Sequence, residues 1–189
     1  MREIALHLLD IAENSAAAES TKVSIEVRED LVNDRLIASV IDDGRGMDAE
    51  TAQNVQDPFY TTRTTRNVGL GIPLLKLAAE QAEGRFSLQS EPGKGTRVEA
   101  EFRHSNIDRM PLGDLASTFL TVLISHPNIH WTFVYRTTDK TGDSRDFVFD
   151  DADLKSELGG LSLTEPEVLT FVRGMLEEGI EALALQTVN

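Results

Sequence analysis

The chain has 189 residues, 32 acidic and 18 basic, with a formal charge of −14 and a hydrophobic fraction of 40%. That length suffices for one good core, or for a medium domain with a smaller one beside it. The charge weighs against nonspecific binding to nucleic acid or an anionic membrane, and the lack of any cysteine excludes disulfides, thiolate metal sites and cysteine nucleophiles.

No apolar run approaches the length of a membrane span, and MREIALHLLDIAENS lacks the basic start and cleavage site of a signal peptide. A cytoplasmic protein with no membrane partner is the expectation. Residues 2–18 read as a helix, with Ile4, Leu8 and Ile11 on one face. KVSIEV (22–27) and RLIASVI (35–41) alternate as strands. Asp42–Met47 is a glycine-bearing turn, Leu70–Glu83 returns to helical periodicity, and Gly84 is placed to end that helix. RFSLQS (85–90) and TRVEAEF (96–102) form a hairpin around Pro92–Gly95. The order predicts an α/β layer with much antiparallel pairing.

Beyond Arg103, Leu112–Ser125 reads as a helix, and IHWTFVYR (129–136) and RDFVFD (145–150) as strands joined by the turn at 141–143. Thr164 with Glu167 is a capping box, and Pro166 stands in the first turn of a last helix carrying Val168, Val172, Met175, Leu176 and Leu183. Seven of the eleven aromatics follow residue 102, which predicts a second small core in an α-β-β-α region.

One segment departs from the acidic background. Between Asp57 and Glu80 lie 22 residues without an acid, where the overall acidic fraction predicts about four. There Arg63 and Arg66 stand among Thr61, Thr62, Thr64 and Thr65, ahead of Gly69-Leu70-Gly71 at a helix start. Free N–H groups and the positive end of the helix dipole suit such a place to phosphate; a solvated loop is the plain alternative. In Asp42-Asp43-Gly44-Arg45-Gly46-Met47 a carboxylate ends a buried strand. It could accept from the amine of adenine, with glycines letting the backbone pass a flat base; it also reads as an ordinary turn. Asp10 and Asn14 share a helical face, where Asn14 offers a neutral oxygen to Mg²⁺ and Asp10 could orient a water. Taken alone, that pair reads better as a merely polar face of an exposed helix.

Taken together, Asp10–Ser15, Asp42–Met47, Pro58-Phe59-Tyr60-Thr61-Thr62-Arg63, Gly69–Ile72 and Glu91–Thr96 resemble, in order and spacing, the boxes of the GHKL ATPases, and among these the histidine-kinase type. The resemblance covers residues 1 to about 102 and implies the Bergerat ATP-binding fold: an α/β (α+β) two-layer sandwich with a mixed sheet. It implies ATP and Mg²⁺ as ligands, with Asn14 on the metal, Asp42 on the adenine amine, and Thr96 beside the base. Gly44, Gly46, Met47, Phe59, Gly69, Leu70 and Gly71 would shape the pocket, and Thr61, Thr62, Arg63 and Arg66 would form a lid. Asp10 stands where hydrolysing relatives place a glutamate base. It is one methylene shorter, and Asn67 replaces a glycine of the last box. Only nine residues separate Phe59 from Gly69, so the lid is short and a partner or second copy is expected to complete the site.

The expected function is a Mg-dependent ATP-binding switch, with residues 103–189 as a docking, dimerisation or regulatory region acting on a protein client. The alternatives are a protein kinase acting in trans, as anti-sigma-factor kinases do, and a nucleotide-stabilised binding module with negligible turnover. The resemblance hints at a redox enzyme as client; a homodimer is a further expectation, and nucleic acid is not expected. The first box begins so near Met1 that no phosphoacceptor hairpin is expected in this chain. His126 and His130 have the spacing of a metal pair, but no third ligand is evident and Pro127 favours a turn.

Overall fold

The structure, a computed structural model, describes residues 3–57, 71–158 and 163–184. The elements in chain order are α1 (Ile4–Ala17), β1 (Lys22–Asp30), β2 (Arg35–Asp42), α2 (Ala49–Asn54), α3 (Gly71–Gln81), β3 (Arg85–Glu91) and β4 (Gly95–Arg103). They continue with α4 (Leu115–Ser125), β5 (His130–Thr138), β6 (Ser144–Asp150), α5 (Asp151–Glu157) and α6 (Pro166–Ala184).

All six strands form one mixed sheet in the order β3-β4-β2-β1-β5-β6. Every neighbouring pair is antiparallel except β1 and β5, which run parallel from Lys22↔His130 to Asp30↔Thr138. That parallel pair requires a crossover, and α4 supplies its helix. Strand alternation sets the layers: Val23, Ile25 and Val27 share a face with Val40, Ala38, Val98 and Phe102, and across β5 with Trp131, Phe133 and Tyr135. Helices α1, α3, α4 and α6 pack on that face. The opposite face is polar, with ion pairs such as Arg97–Glu99 at 2.7 Å and Arg35–Glu101 at 3.4 Å. The arrangement is an α/β sandwich of two layers, as the sequence predicts.

Among the described residues no second small core forms. Trp131, Phe133, Tyr135 and Phe149 join the same hydrophobic cluster as α1 and β2, because β5 continues the sheet rather than starting another. Phe119 on α4 packs on Phe133 and Phe149, with ring centroids 5.3 and 5.4 Å away. The C-terminal region also holds one helix more than its predicted α-β-β-α order. In α5, Asp150 caps the first turn by accepting from Ala152 N at 2.8 Å.

Two local readings change. The left-handed residue after α3 is Glu83, at φ 53°, not Gly84. Gly84 is needed for close approach, since a Cβ there would meet the Glu101 carbonyl oxygen at 1.7 Å. And α4 begins at Leu115, because Asp114 caps it by accepting from Ser117 N at 2.8 Å. The chain just before α4 instead serves the start of α1, where the carbonyls of Pro111 and Leu112 accept from Ile4 N at 3.0 Å and Ala5 N at 2.8 Å. Glu3, at the N-cap of α1, makes no side-chain capping bond, so these carbonyls satisfy donors that a cap would otherwise take.

Candidate functional site

Asp42 is the last residue of β2, and its half-buried carboxylate is reached from three directions. Its Oδ1 accepts from Gly44 N at 2.9 Å and Thr96 N at 3.1 Å, and its Oδ2 accepts from Ser15 Oγ at 2.7 Å. The first box on α1, the turn after β2 and the start of β4 therefore meet on one side chain. A carboxylate offers about four acceptor directions, so these donors leave one on Oδ2 for a ligand.

Asp43, its neighbour in sequence, is committed elsewhere. It accepts from Thr21 N at 2.7 Å, Thr21 Oγ1 at 2.6 Å and Lys22 N at 2.8 Å, closing the turn between α1 and β1. Burial pushes its carboxyl up, but these hydrogen bonds prevail and hold it below the usual carboxylate range. Gly44 is buried where Arg45 N donates to Ala18 O at 3.0 Å. Gly46 has φ +63°, and a Cβ on it would meet the Glu91 carbonyl oxygen at 1.9 Å; only glycine lets the loop cross the β3–β4 hairpin there. Met47 N then donates to Ser90 Oγ at 2.8 Å, and Ser90 Oγ lies 2.9 Å from Thr96 Oγ1. Beside this network is an open pocket of about 200 Å³ lined by Asp42, Ser90, Lys94, Gly95, Thr96 and Arg97 among others.

The second cluster lies along α1. Asp10 Oδ2 is buried with no hydrogen-bond partner among the described residues, and a Cβ on Gly71 would fall 1.8 Å from it. Gly71 is the first described residue of α3, and it brings the backbone of that helix against the carboxylate. One turn earlier on α1, His7 is 1% exposed. Burial pushes its imidazole below the ordinary value, outweighing its hydrogen bond to the Gly71 backbone. Asn14 is half-buried one turn after Asp10, beside Ser15.

The structure thus brings Asp42, Gly44, Gly46, Met47 and Thr96 into one network, and places Asp10 against Gly71 on the helix that carries Asn14. Phe59, Thr61, Thr62, Arg63, Arg66, Gly69 and Leu70 lie outside the described residues. Ser15 and Ser90 have no role in the motifs as read from sequence, although Ser15 stands next to Asn14 in the first box. His126 and His130 do not converge: His126 Nε2 reaches Glu13 Oε2 at 2.9 Å, and His130 Nε2 reaches Asp150 Oδ1 at 2.8 Å.

Residues 1–106 match the family model described as histidine kinase-, DNA gyrase B-, and HSP90-like ATPase. The chain belongs to this family. Within it, the chain is 32% identical over 95 residues to the sensor histidine kinase ZraS of Klebsiella oxytoca, which covers 50% of this chain and 20% of that protein. It is 37% identical over 89 residues to the sensor protein kinase FleS of Pseudomonas aeruginosa, covering 47% of this chain and 22% of the relative. The chain therefore spans about a fifth of either relative's length. A solved structure titled as the N-terminal domain of a DNA repair protein shares the fold with a TM-score of 0.51 at 13% identity, covering 77% of this chain and 52% of its own. That coverage exceeds the span matched by the family model, so the shared fold takes in part of the chain after residue 106. Among the described residues, no helix is long and apolar enough to cross a membrane.

Proposed function

We propose that this member of the histidine-kinase-like ATPase family binds Mg·ATP and uses its nucleotide state to set how residues 103–189 engage a partner protein. The observation that carries the reading is Asp42: three protein donors fix its carboxylate and leave one acceptor direction on Oδ2. That direction can accept one of the two N–H groups of an adenine amine, with Thr96 beside it. The nucleotide would supply the phosphoanhydride and Mg²⁺ the charge that offsets it. Asn14 would offer its side-chain oxygen to the metal. Asp10, with Oδ2 buried and unpartnered among the described residues, is the group able to orient a water or hold a proton. Gly71 would present backbone N–H groups at the start of α3.

Coupling to the C-terminal region runs through α1. Its first N–H groups are held by the carbonyls of Pro111 and Leu112, and Glu13, one residue before Asn14, is held by His126. A shift of α1 on nucleotide binding would be felt at both ends of the segment leading into α4 and out to β5. Phosphotransfer in trans to a separate protein is the second reading, favoured by the matches to sensor histidine kinases. Incubation with Mg²⁺ and γ-labelled ATP separates the two. Label released as phosphate in wild type and lost in Asp10→Ala supports a hydrolytic switch. Label on an added protein supports the kinase, and label staying in bound ATP leaves a binding module without turnover.

A further inference from the structure

His130 opens β5, Asp150 closes β6 and Asp151 begins α5, and the three side chains converge on a point remote in sequence from the five boxes of residues 10–96. Asp151 is fully buried, at 0% exposure, and among the described residues neither carboxylate oxygen has a hydrogen-bond partner. Lys155 Nζ lies 2.6 Å from its Oδ2 as an ion pair, while donating a hydrogen bond to Ile129 O at 2.8 Å. Oδ1 is left over. It faces His130 Nε2 at 3.8 Å. Burying such an oxygen without a donor or cation costs about 1–3 kcal/mol, more for a charged group. Two carboxylates, those of Asp150 and Asp151, stand here against the one ammonium of Lys155.

We propose that His130, Asp150 and Asp151 bind a divalent first-row transition-metal cation, with zinc the ion best suited to the donor set. One donor atom from each residue lies within 4.8 Å of the other two. Zinc bound by nitrogen and carboxylate oxygen at roughly 2.0–2.2 Å places its ligand atoms about 3.4 Å apart in a tetrahedron. The distances from His130 Nε2, 2.8 Å to Asp150 Oδ1 and 3.8 Å to Asp151 Oδ1, bracket that spacing. An imidazole among the ligands selects against Mg²⁺ and Ca²⁺, which prefer oxygen alone. Lys155 takes the remaining role: it holds Oδ2 and so turns Oδ1 toward the site, as outer partners do for metal-bound carboxylates. The His130 and Asp150 side chains are 35% and 37% exposed, which gives the ion a path in and leaves room for water as fourth ligand. Binding would replace the hydrogen bond between His130 and Asp150, with the ring proton of His130 on Nδ1 and the Nε2 lone pair on the ion, and would clasp the β5–β6 pair to α5.

The test is calorimetric titration of the full chain with zinc in the absence of nucleotide, paired with cobalt absorption in the visible. The expected result is one tight zinc equivalent and a tetrahedral cobalt spectrum in wild type. In His130→Ala and Asp151→Asn both would fall at least about tenfold, and in His126→Ala both would be kept. If Asp151→Asn does not fold, as judged by circular dichroism, His130→Gln at the partly exposed ligand decides. Zinc binding that is absent from wild type, or equally tight without His130, overturns the proposal.

Discussion

Ser15 on α1 donates from its Oγ to Asp42 Oδ2 at the end of β2 across 2.7 Å, so the first two motifs are one hydrogen-bonded unit. Removing that donor should loosen the Asp42 carboxylate without disturbing the backbone bonds from Gly44 and Thr96. Ser15→Ala is therefore predicted to lower ATP affinity by roughly tenfold, the worth of one hydrogen bond to a charged group. Calorimetry measures it. Unchanged affinity would separate Ser15 from the adenine site.

Under the proposed function Asn14 would hold Mg²⁺, and Asn14→Ala should then flatten the dependence of ATP binding on Mg²⁺ while leaving metal-free nucleotide binding in place. Titration of ATP at several Mg²⁺ concentrations measures it. A wild-type response in the variant would remove Asn14 from the metal site.

Gly71 leaves no space for a methyl group, because a Cβ would lie 1.8 Å from Asp10 Oδ2. Gly71→Ala is predicted to cost about 1–3 kcal/mol of stability, the usual range for overpacking, and to displace Asp10. Urea denaturation reads the first effect. In Gly71→Ala/Asp10→Ala the clash is relieved, so stability should recover.

A pH prediction comes from the other end of β1. Glu29 is 7% exposed and bound by Tyr135 Oη and by His104 Nε2, the latter at 2.6 Å. Burial pushes its carboxyl up, but the hydrogen bonds of His104 and Tyr135, with the nearby charges of His104 and Arg109, bring it below the ordinary value of 4.5. A carboxyl depressed in the folded state contributes stability that is present above its unfolded pKa and lost as pH falls through the folded one. Wild type should thus lose stability below about pH 4.5 more steeply than Glu29→Gln, whatever their difference at neutral pH. Tyr135 acts at the alkaline end: burial and the Glu29 charge raise its pKa, so its contribution is lost as pH rises past the usual tyrosine range. Denaturation midpoints against pH, in wild type, Glu29→Gln and Tyr135→Phe, measure both. Parallel profiles would contradict the account.

Much of the site was legible because its chemistry is local in sequence. A carboxylate ending a strand, glycines after it and a polar pair one helical turn apart each occupy a short segment; the structure joins Asp42 to Gly44 directly, and Ser15 ties it to α1, the helix that carries Asp10 and Asn14. Ser15 and Ser90 were not legible, since a serine's role depends on what lies across from it, and their partners Asp42 and Met47 are remote in sequence. The same holds for the strands after residue 102. Alternation identified β5 and β6, but the parallel register of β5 on β1 is long-range, so their aromatics read as a separate core. Glu83 taking the left-handed conformation beside Gly84 shows a further gap: which residue turns was decided by the close approach of Gly84 to Glu101.

The central claim is that Asp42 receives the adenine of ATP. Calorimetric titration of wild type and Asp42→Asn with Mg·ATP, with folding checked by circular dichroism, tests it most directly. An asparagine there can present an amide donor to the adenine amine and forfeits the charge. Affinity should fall between about tenfold and a hundredfold, the range for losing a hydrogen bond to a charged group. Equal affinity in a folded Asp42→Asn variant, or no binding by wild type, would contradict the account.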